Sequence, residues 1–109
     1  MTIRQIVLFR FPEGPNAPLL ARMSAGLAEL RAAIPDISDA SWGRDIGAVI
    51  GANADNAHFA LVMDFAGPEA LKRYKTHPAH LTFIEEYMRG VAMDRVRIQY
   101  ELPEKFEGT

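Results

Sequence analysis

Four strand-like segments and two amphipathic helical regions alternate along this chain, and their order is the feature that most constrains its fold. Dense β-branched and aromatic residues predict a first strand over residues 3–11 and a third over residues 57–65. Weaker patterns predict a second strand over residues 37–46, followed by a loop at 47–56, and a fourth strand over 93–102. Together with the helices, this gives the order β-α-β-β-α-β.

The helical regions are marked by their end signals and by apolar residues at spacings of three and four. Asn16 is suited to cap the first helix, and Pro35 ends it. Within it, Gly26 lowers helix propensity, and we interpret it as permitting close packing on the sheet. The second helical region begins near Pro68 and is interrupted just before Pro78, after which it continues to about residue 90.

This order of elements is that of a ferredoxin-like α+β fold, in which two helices cover one face of a four-stranded antiparallel sheet. The 109 residues are enough for a single domain over residues 1–109. We expect residues 103–109 to form a loose tail or an arm that packs on a partner.

Composition excludes several classes of function. The formal net charge of −2 gives no basic excess for nucleic acid or anionic lipid, and no apolar run approaches the ~20 residues of a membrane helix. The absence of cysteine excludes disulfides, thiolate metal sites and cysteine nucleophiles. With no signal-peptide pattern in the sequence, we expect a cytoplasmic protein without nucleic-acid or membrane partners.

Both faces of the predicted sheet carry apolar residues. On the first strand, Val7 and Phe9 point to one face, whereas Ile6 and Leu8 point to the other. Two helices can cover only one face, so the remaining apolar residues need a second cover. The same face of a second copy would supply it and form a homodimeric barrel. The alternative is a monomer with a partly apolar open face.

Several segments resemble the stress-responsive dimeric α/β-barrel (Dabb) family. The most specific is Tyr-Lys-Thr-His-Pro-Ala-His at residues 74–80, between two helical segments. The opening strand at 3–11, the Trp-Gly-Arg-Asp run at 42–45 and the third strand at 58–65 are also similar to the family. The resemblance covers residues 3–102 and implies the ferredoxin-like fold, the dimer and, for some members, an activity.

The family includes olivetolic acid cyclase, which uses no cofactor and closes a linear poly-β-ketone by aldol condensation. The resemblance places its acid/base pair on Tyr74 and His80 and another pocket histidine on His58. A further histidine of that enzyme falls on Gln5, where this chain differs. The resemblance therefore implies a cofactor-free pocket for a small apolar carbonyl compound, with these four residues in it.

The side-chain chemistry fits these roles but leaves structural alternatives open. His80 falls in the first turn of a helix, where the dipole favours the neutral imidazole that a general base requires. Tyr74 is suited to donate a hydrogen bond. A capping or packing histidine and a core aromatic are the alternatives. His77 can cap the helix that begins at Pro78, and with no third ligand nearby in sequence we predict no metal site.

Five aromatic residues are candidates for the wall of an apolar pocket, although core packing explains them equally well. They are Phe9, Trp42, Phe59, Phe83 and Tyr87. Three functions remain open: a cofactor-independent cyclase or lyase, a non-catalytic ligand-binding or stress-response dimer, and a small dimeric-barrel monooxygenase. Fold alone does not decide between them.

Overall fold

A computed structural model describes residues 1–14, 16–47 and 56–103. These residues form an antiparallel sheet in the order β2-β3-β1-β4, with helices on one side. The ferredoxin-like fold is thus confirmed, with the second helical region divided in two. The elements are β1 (Thr2–Arg10), α1 (Ala17–Ala33), β2 (Ile37–Arg44), β3 (Phe59–Phe65), α2 (Pro68–Thr76), α3 (Pro78–Tyr87) and β4 (Asp94–Leu102).

Local signals set the ends of the helices. The side chain of Asn16 accepts a hydrogen bond from the backbone N–H of Leu19 at 3.1 Å and caps α1. His77 separates α2 from α3, because a residue before proline is held in extended backbone. Its Nδ1 accepts a hydrogen bond from the N–H of Ala79 at 3.0 Å and caps α3. Residues 48–55 of the predicted loop and 104–109 of the predicted tail lie outside the described residues.

The core lies between the helices and one face of the sheet. Alternate residues of β1 and β3 point into it, and α1 supplies the opposing apolar stripe. Six large side chains at its centre are less than 2% exposed. They are Phe9, Met23, Leu27, Ile34, Met63 and Phe65.

Gly26 packs against a helix, and our interpretation of it as a contact with the sheet is wrong. Its backbone lies against the ring of Tyr87 at the end of α3. A Cβ atom placed on this residue would lie 2.6 Å from Cε2 of that ring, well inside van der Waals contact. The glycine therefore allows α1 and α3 to approach each other.

The face of the sheet opposite the helices, which we call the open face, is uncovered in the single chain. It carries Ile6 and Leu8 of β1, Val62 of β3, and Val96 and Ile98 of β4. Val96 and Ile98 are 67% and 57% exposed, which is high for apolar strand residues. Among the described residues, no helix is long and apolar enough to cross a membrane.

Candidate active site

A cavity of about 270 Å³ opens between the helices and the β1–β4 side of the sheet. Its floor and sides are apolar, and its polar groups come from β1, β4 and the α2–α3 junction. The apolar residues are Val7, Phe9, Leu27, Leu30, Leu61, Phe83, Ile84 and Met88. The polar residues are Gln5, Tyr74, Lys75, His80, Arg95 and Arg97.

Tyr74 lies in the last turn of α2 and is only 4% exposed. Its ring packs against Phe65 of the core, with centroids 5.1 Å apart. Burial raises the pKa of the Tyr74 phenol to about 12 and outweighs the opposing effect of the nearby Arg97 charge. The phenol therefore stays protonated at neutral pH, and its hydroxyl makes no hydrogen bond to the described residues. It is free to donate to a ligand in the cavity.

His80 follows in the first turn of α3, and its Nδ1 lies 3.2 Å from the carbonyl oxygen of Lys75. A carbonyl oxygen only accepts hydrogen bonds, so Nδ1 carries the proton and Nε2 keeps its lone pair. Burial lowers the pKa of the His80 imidazole below 6.5, and the positive charge of Arg97 acts in the same direction. The hydrogen bond to Lys75 acts against these effects. The ring is therefore a neutral base at neutral pH.

These two side chains stand together on one wall of the cavity. Their rings stack with centroids 4.2 Å apart and planes inclined by 30°. They come from different helices, and the break at His77 turns the chain so that residues six positions apart meet. A protonated phenol and a neutral imidazole are thus presented side by side, which is the pairing that proton transfer at a carbonyl compound requires.

The opposing wall is formed by β1 and β4. Antiparallel pairing places Gln99 opposite Gln5 and Arg97 opposite Val7, so both β4 residues point to the helix side of the sheet. Nε2 of Gln99 donates to Oε1 of Gln5 at 2.6 Å, which leaves the amide N–H groups of Gln5 available as donors. Arg97 stands close enough to shift the pKa of both Tyr74 and His80. The wall therefore adds hydrogen-bond donors and a positive charge.

Of the predicted site residues, the structure brings Gln5, Phe9, Tyr74, His80 and Phe83 to the cavity. Lys75, Arg95 and Arg97 were not predicted from the sequence. The alternation of Arg95, Arg97 and Gln99 along the fourth strand was visible, but the face that they share depends on which residues of β1 they oppose.

Four predicted pocket residues lie outside the cavity lining. His58 accepts a hydrogen bond from the N–H of Phe11 at 2.9 Å, beyond the end of β1. Trp42 lies across α1, where its Nε1 donates to Oγ of Ser24 at 2.8 Å.

The other two of these four pack behind the cavity wall. Phe59 is buried against the ring of Phe9, with centroids 6.0 Å apart. Tyr87 lies behind Phe83, with centroids 4.9 Å apart, and faces Gly26. Both therefore support residues that line the cavity.

Comparison with known proteins places this chain in a family. The family model described as Stress Responsive A/B Barrel Domain matches residues 3–102. A search of curated proteins found no match.

Among solved structures, a dimeric ferredoxin-like protein of unknown function from Thermobifida fusca YX is 31% identical. It superposes with a TM-score of 0.79, over 94% of this chain and 92% of that one. The hydroxynitrile lyase from Passiflora edulis shares the fold at 22% identity and a TM-score of 0.79, over 96% of each chain. A Dabb family protein with a ferredoxin-like fold from Mesorhizobium loti is 24% identical, with a TM-score of 0.71, over 94% of this chain and 97% of that one. By the extent of the model match, this chain belongs to the stress-responsive A/B barrel (Dabb) domain family.

Proposed function

We propose that this protein binds a small apolar carbonyl compound in its cavity and catalyses proton transfer on it without a cofactor. The observation that carries the proposal is the stacked pair of Tyr74 and His80 at 4.2 Å on the cavity wall. Burial keeps one ring protonated and the other neutral, so the pair offers an acid and a base at the same pH.

The proposed reaction begins with a carbonyl oxygen that accepts a hydrogen bond from the Tyr74 hydroxyl. Nε2 of His80 removes a proton from the adjacent carbon, and the resulting enolate is stabilised by the phenol and by the charge of Arg97. The enolate carbon then adds to a second carbonyl of the same molecule, and the proton on His80 passes to the new alkoxide. This sequence is an aldol closure of the kind that the cyclase resemblance implies.

The apolar floor of the cavity fits such a substrate. Val7, Leu27 and Leu61 offer no polar atoms beyond the backbone, and Phe83 adds an aromatic side. Ligand sites commonly combine such a lining with a few convergent polar groups. Exclusion of water from this lining strengthens the hydrogen bonds that polarise the carbonyl.

We also propose that the protein works as a homodimer through the open face. Val96 and Ile98 expose apolar surface there, next to Leu8 in the middle of the sheet. On this face, Arg4 and Asp64 neutralise each other, because Arg4 donates to both carboxylate oxygens of Asp64 at 2.8 and 3.0 Å. Structural neighbours from Thermobifida fusca and Bacteroides fragilis are described as dimeric. A second copy would cover the face with an isologous interface.

A second candidate function is a dimer that binds the same ligands without turnover. Gln5 favours it, because an amide stands where the resemblance places a histidine of the cyclase, and an amide neither gives nor takes a proton at neutral pH. In that case, ligands would stabilise the protein against unfolding without being converted.

The test is turnover of a synthetic linear triketide thioester and of mandelonitrile, which is added because a hydroxynitrile lyase shares the fold. We expect Tyr74→Phe and His80→Ala each to lower the rate about 10²–10⁴-fold, the usual contribution of a general acid or base. His77→Asn keeps a helix cap beside the site and serves as the control. Wild-type turnover that survives in both site variants would refute catalysis by the pair. Binding without turnover in the wild type would favour the second candidate.

A further inference from the structure

The polar part of the cavity lining is strongly positive. Lys75, Arg95 and Arg97 line it, and no Asp or Glu does so among the described residues. The chain as a whole has the opposite balance, with 14 acidic against 12 basic residues. Three cations around one small cavity in an acidic chain are therefore a local concentration of charge.

Within the described residues, none of these three cations forms an ion pair with a carboxylate. The ion pairs seen in the described part of the chain involve other basic residues, at Arg4, Arg31, Lys72, Arg73 and Arg89. The three side chains are exposed, so water weakens their mutual repulsion, and an anion that binds among them reduces it further.

The arginines are held so that they face the cavity. Antiparallel pairing sets Arg95 opposite Phe9 and Arg97 opposite Val7. Since Phe9 and Val7 point to the helix side of the sheet, the two arginines do so as well. Nη1 of Arg95 lies 3.5 Å from Sδ of Met88, another lining residue, so this guanidinium contacts the apolar wall of the cavity. A strand residue cannot turn to the opposite face without a change of register, so both arginine side chains leave the sheet on the cavity side.

The remaining polar groups are mostly donors. The phenol of Tyr74 and the amide of Gln5 join the guanidinium of Arg97 in offering N–H or O–H groups to the same space. His80 is the exception, since its Nε2 accepts. A ligand that matches this lining therefore carries several acceptor oxygens close together and a negative charge.

We propose that the ligand of this cavity is an oxo acid with an apolar tail, whose carboxylate binds Arg97 while its nearby carbonyl lies against Tyr74 and His80. The proposal rests on the function proposed above and names its substrate class. The planar guanidinium suits a carboxylate, with which it can make two parallel hydrogen bonds. Carbonyl and carboxylate are close neighbours in the ligand, because Arg97, Tyr74 and His80 line the same cavity of about 270 Å³.

The test compares 2-oxo-4-phenylbutanoate with its ethyl ester, which keeps the ketone and the phenyl tail but removes the charge. Affinities are measured by isothermal titration calorimetry on the full-length protein. We expect the acid to bind roughly 10- to 100-fold more tightly than the ester, from the usual strength of hydrogen bonds to a charged group. Since both ligands meet the same protein, their affinity ratio is insensitive to the fraction that is correctly folded.

Substitutions then assign the preference to one residue. Arg97→Gln should bring the acid-to-ester ratio close to one, whereas Arg97→Lys should keep part of it through the retained charge. Arg22→Gln is the matched control, because Arg22 is exposed on α1 and lies outside the cavity lining. It should leave the ratio unchanged, and thermal denaturation of each variant checks that it is folded.

The outcomes separate this inference from the proposed function. Equal affinity of acid and ester in the wild type, or an unchanged ratio in Arg97→Gln, overturns the oxo-acid proposal. If Tyr74→Phe still weakens both ligands in that case, the carbonyl site stands. A ratio that depends on Arg97 supports the oxo-acid proposal even where turnover fails. If neither compound binds, the oxo-acid proposal is overturned, and the proposed function is decided by the turnover test.

Discussion

The close approach of α1 and α3 at Gly26 predicts an unusual effect of Gly26→Ala. Alanine in a helix interior is normally more stable than glycine by about 1 kcal/mol. Here its Cβ would lie 2.6 Å from Cε2 of Tyr87, about 1 Å inside ordinary carbon–carbon contact. Overpacking of this kind typically costs about 1–3 kcal/mol. We therefore expect no net gain and a loss of up to about 2 kcal/mol in the free energy of unfolding.

Removal of the obstructing ring should reverse the sign of that effect. In a Tyr87→Ala background the clash is absent, so Gly26→Ala should stabilise the protein by about 1 kcal/mol. The difference between the two backgrounds is the coupling energy, which we expect to be about 1–3 kcal/mol. The large cost of Tyr87→Ala itself cancels in this cycle, so the prediction does not depend on it.

Urea denaturation of the four proteins, followed by circular dichroism, measures the cycle. All four are compared at one protein concentration, because dimerisation makes apparent stability depend on concentration. Unchanged slopes against urea are needed for the comparison of free energies. An equal effect of Gly26→Ala in both backgrounds, within about 0.5 kcal/mol, would refute the packing argument.

Three further predictions concern the cap, the base and the open face. His77→Ala should lower the free energy of unfolding by about 1 kcal/mol in urea titrations, with His77→Asn restoring most of it, because a side-chain acceptor caps α3. Folding lowers the pKa of His80 from 6.5, so the unfolded chain binds more protons and stability falls as pH drops from about 6.5 through the folded value. His80→Gln should therefore weaken the pH dependence of the free energy of unfolding between pH 7 and 5. Arg97→Gln should raise the pKa of His80, which an NMR titration measures. Ile98→Glu should shift the mass measured by light scattering to that of the 12.1 kDa single chain, since it places a charge in the proposed interface. A variant that stays dimeric would count against the open face as the contact.

The fold was predictable because its signals are local. Asn16, Pro35 and the His77–Pro78 step define the helix ends through contacts only a few residues apart. The strands followed from apolar density, and their predicted bounds differ from the observed ones by no more than two residues at each end. The face of β1 that packs into the core was predictable as well, because the alternation of apolar residues along a strand does not depend on which strands pair with it.

The site was only half predictable because part of it is non-local. Tyr74 and His80 were found through a short motif that lies across one helix break. Arg97 enters the site through its register with Val7, ninety positions earlier in the chain, and no local pattern reveals that pairing. Trp42 and His58 are residue types that often line pockets. In the structure, however, Trp42 lies on the β2 side of the sheet and His58 lies beyond the end of β1.

The location of the cavity follows from how the helices cover the sheet. The helices contact β2 and β3, and the residues of β4 remain exposed on the helix side as well as on the open face. Long polar side chains such as Arg97 and Gln99 suit that uncovered strip, since their stems lie over apolar neighbours while their heads stay polar. The α2–α3 break brings His80 beside this strip, and Tyr74 lies between His80 and the core residue Phe65. An apolar floor, an acid/base pair and a cationic edge therefore arise from one cause, an edge strand that the helices leave uncovered. Substitutions on the helix side of β4 should consequently change which ligands bind and leave the stability of the core almost unaffected.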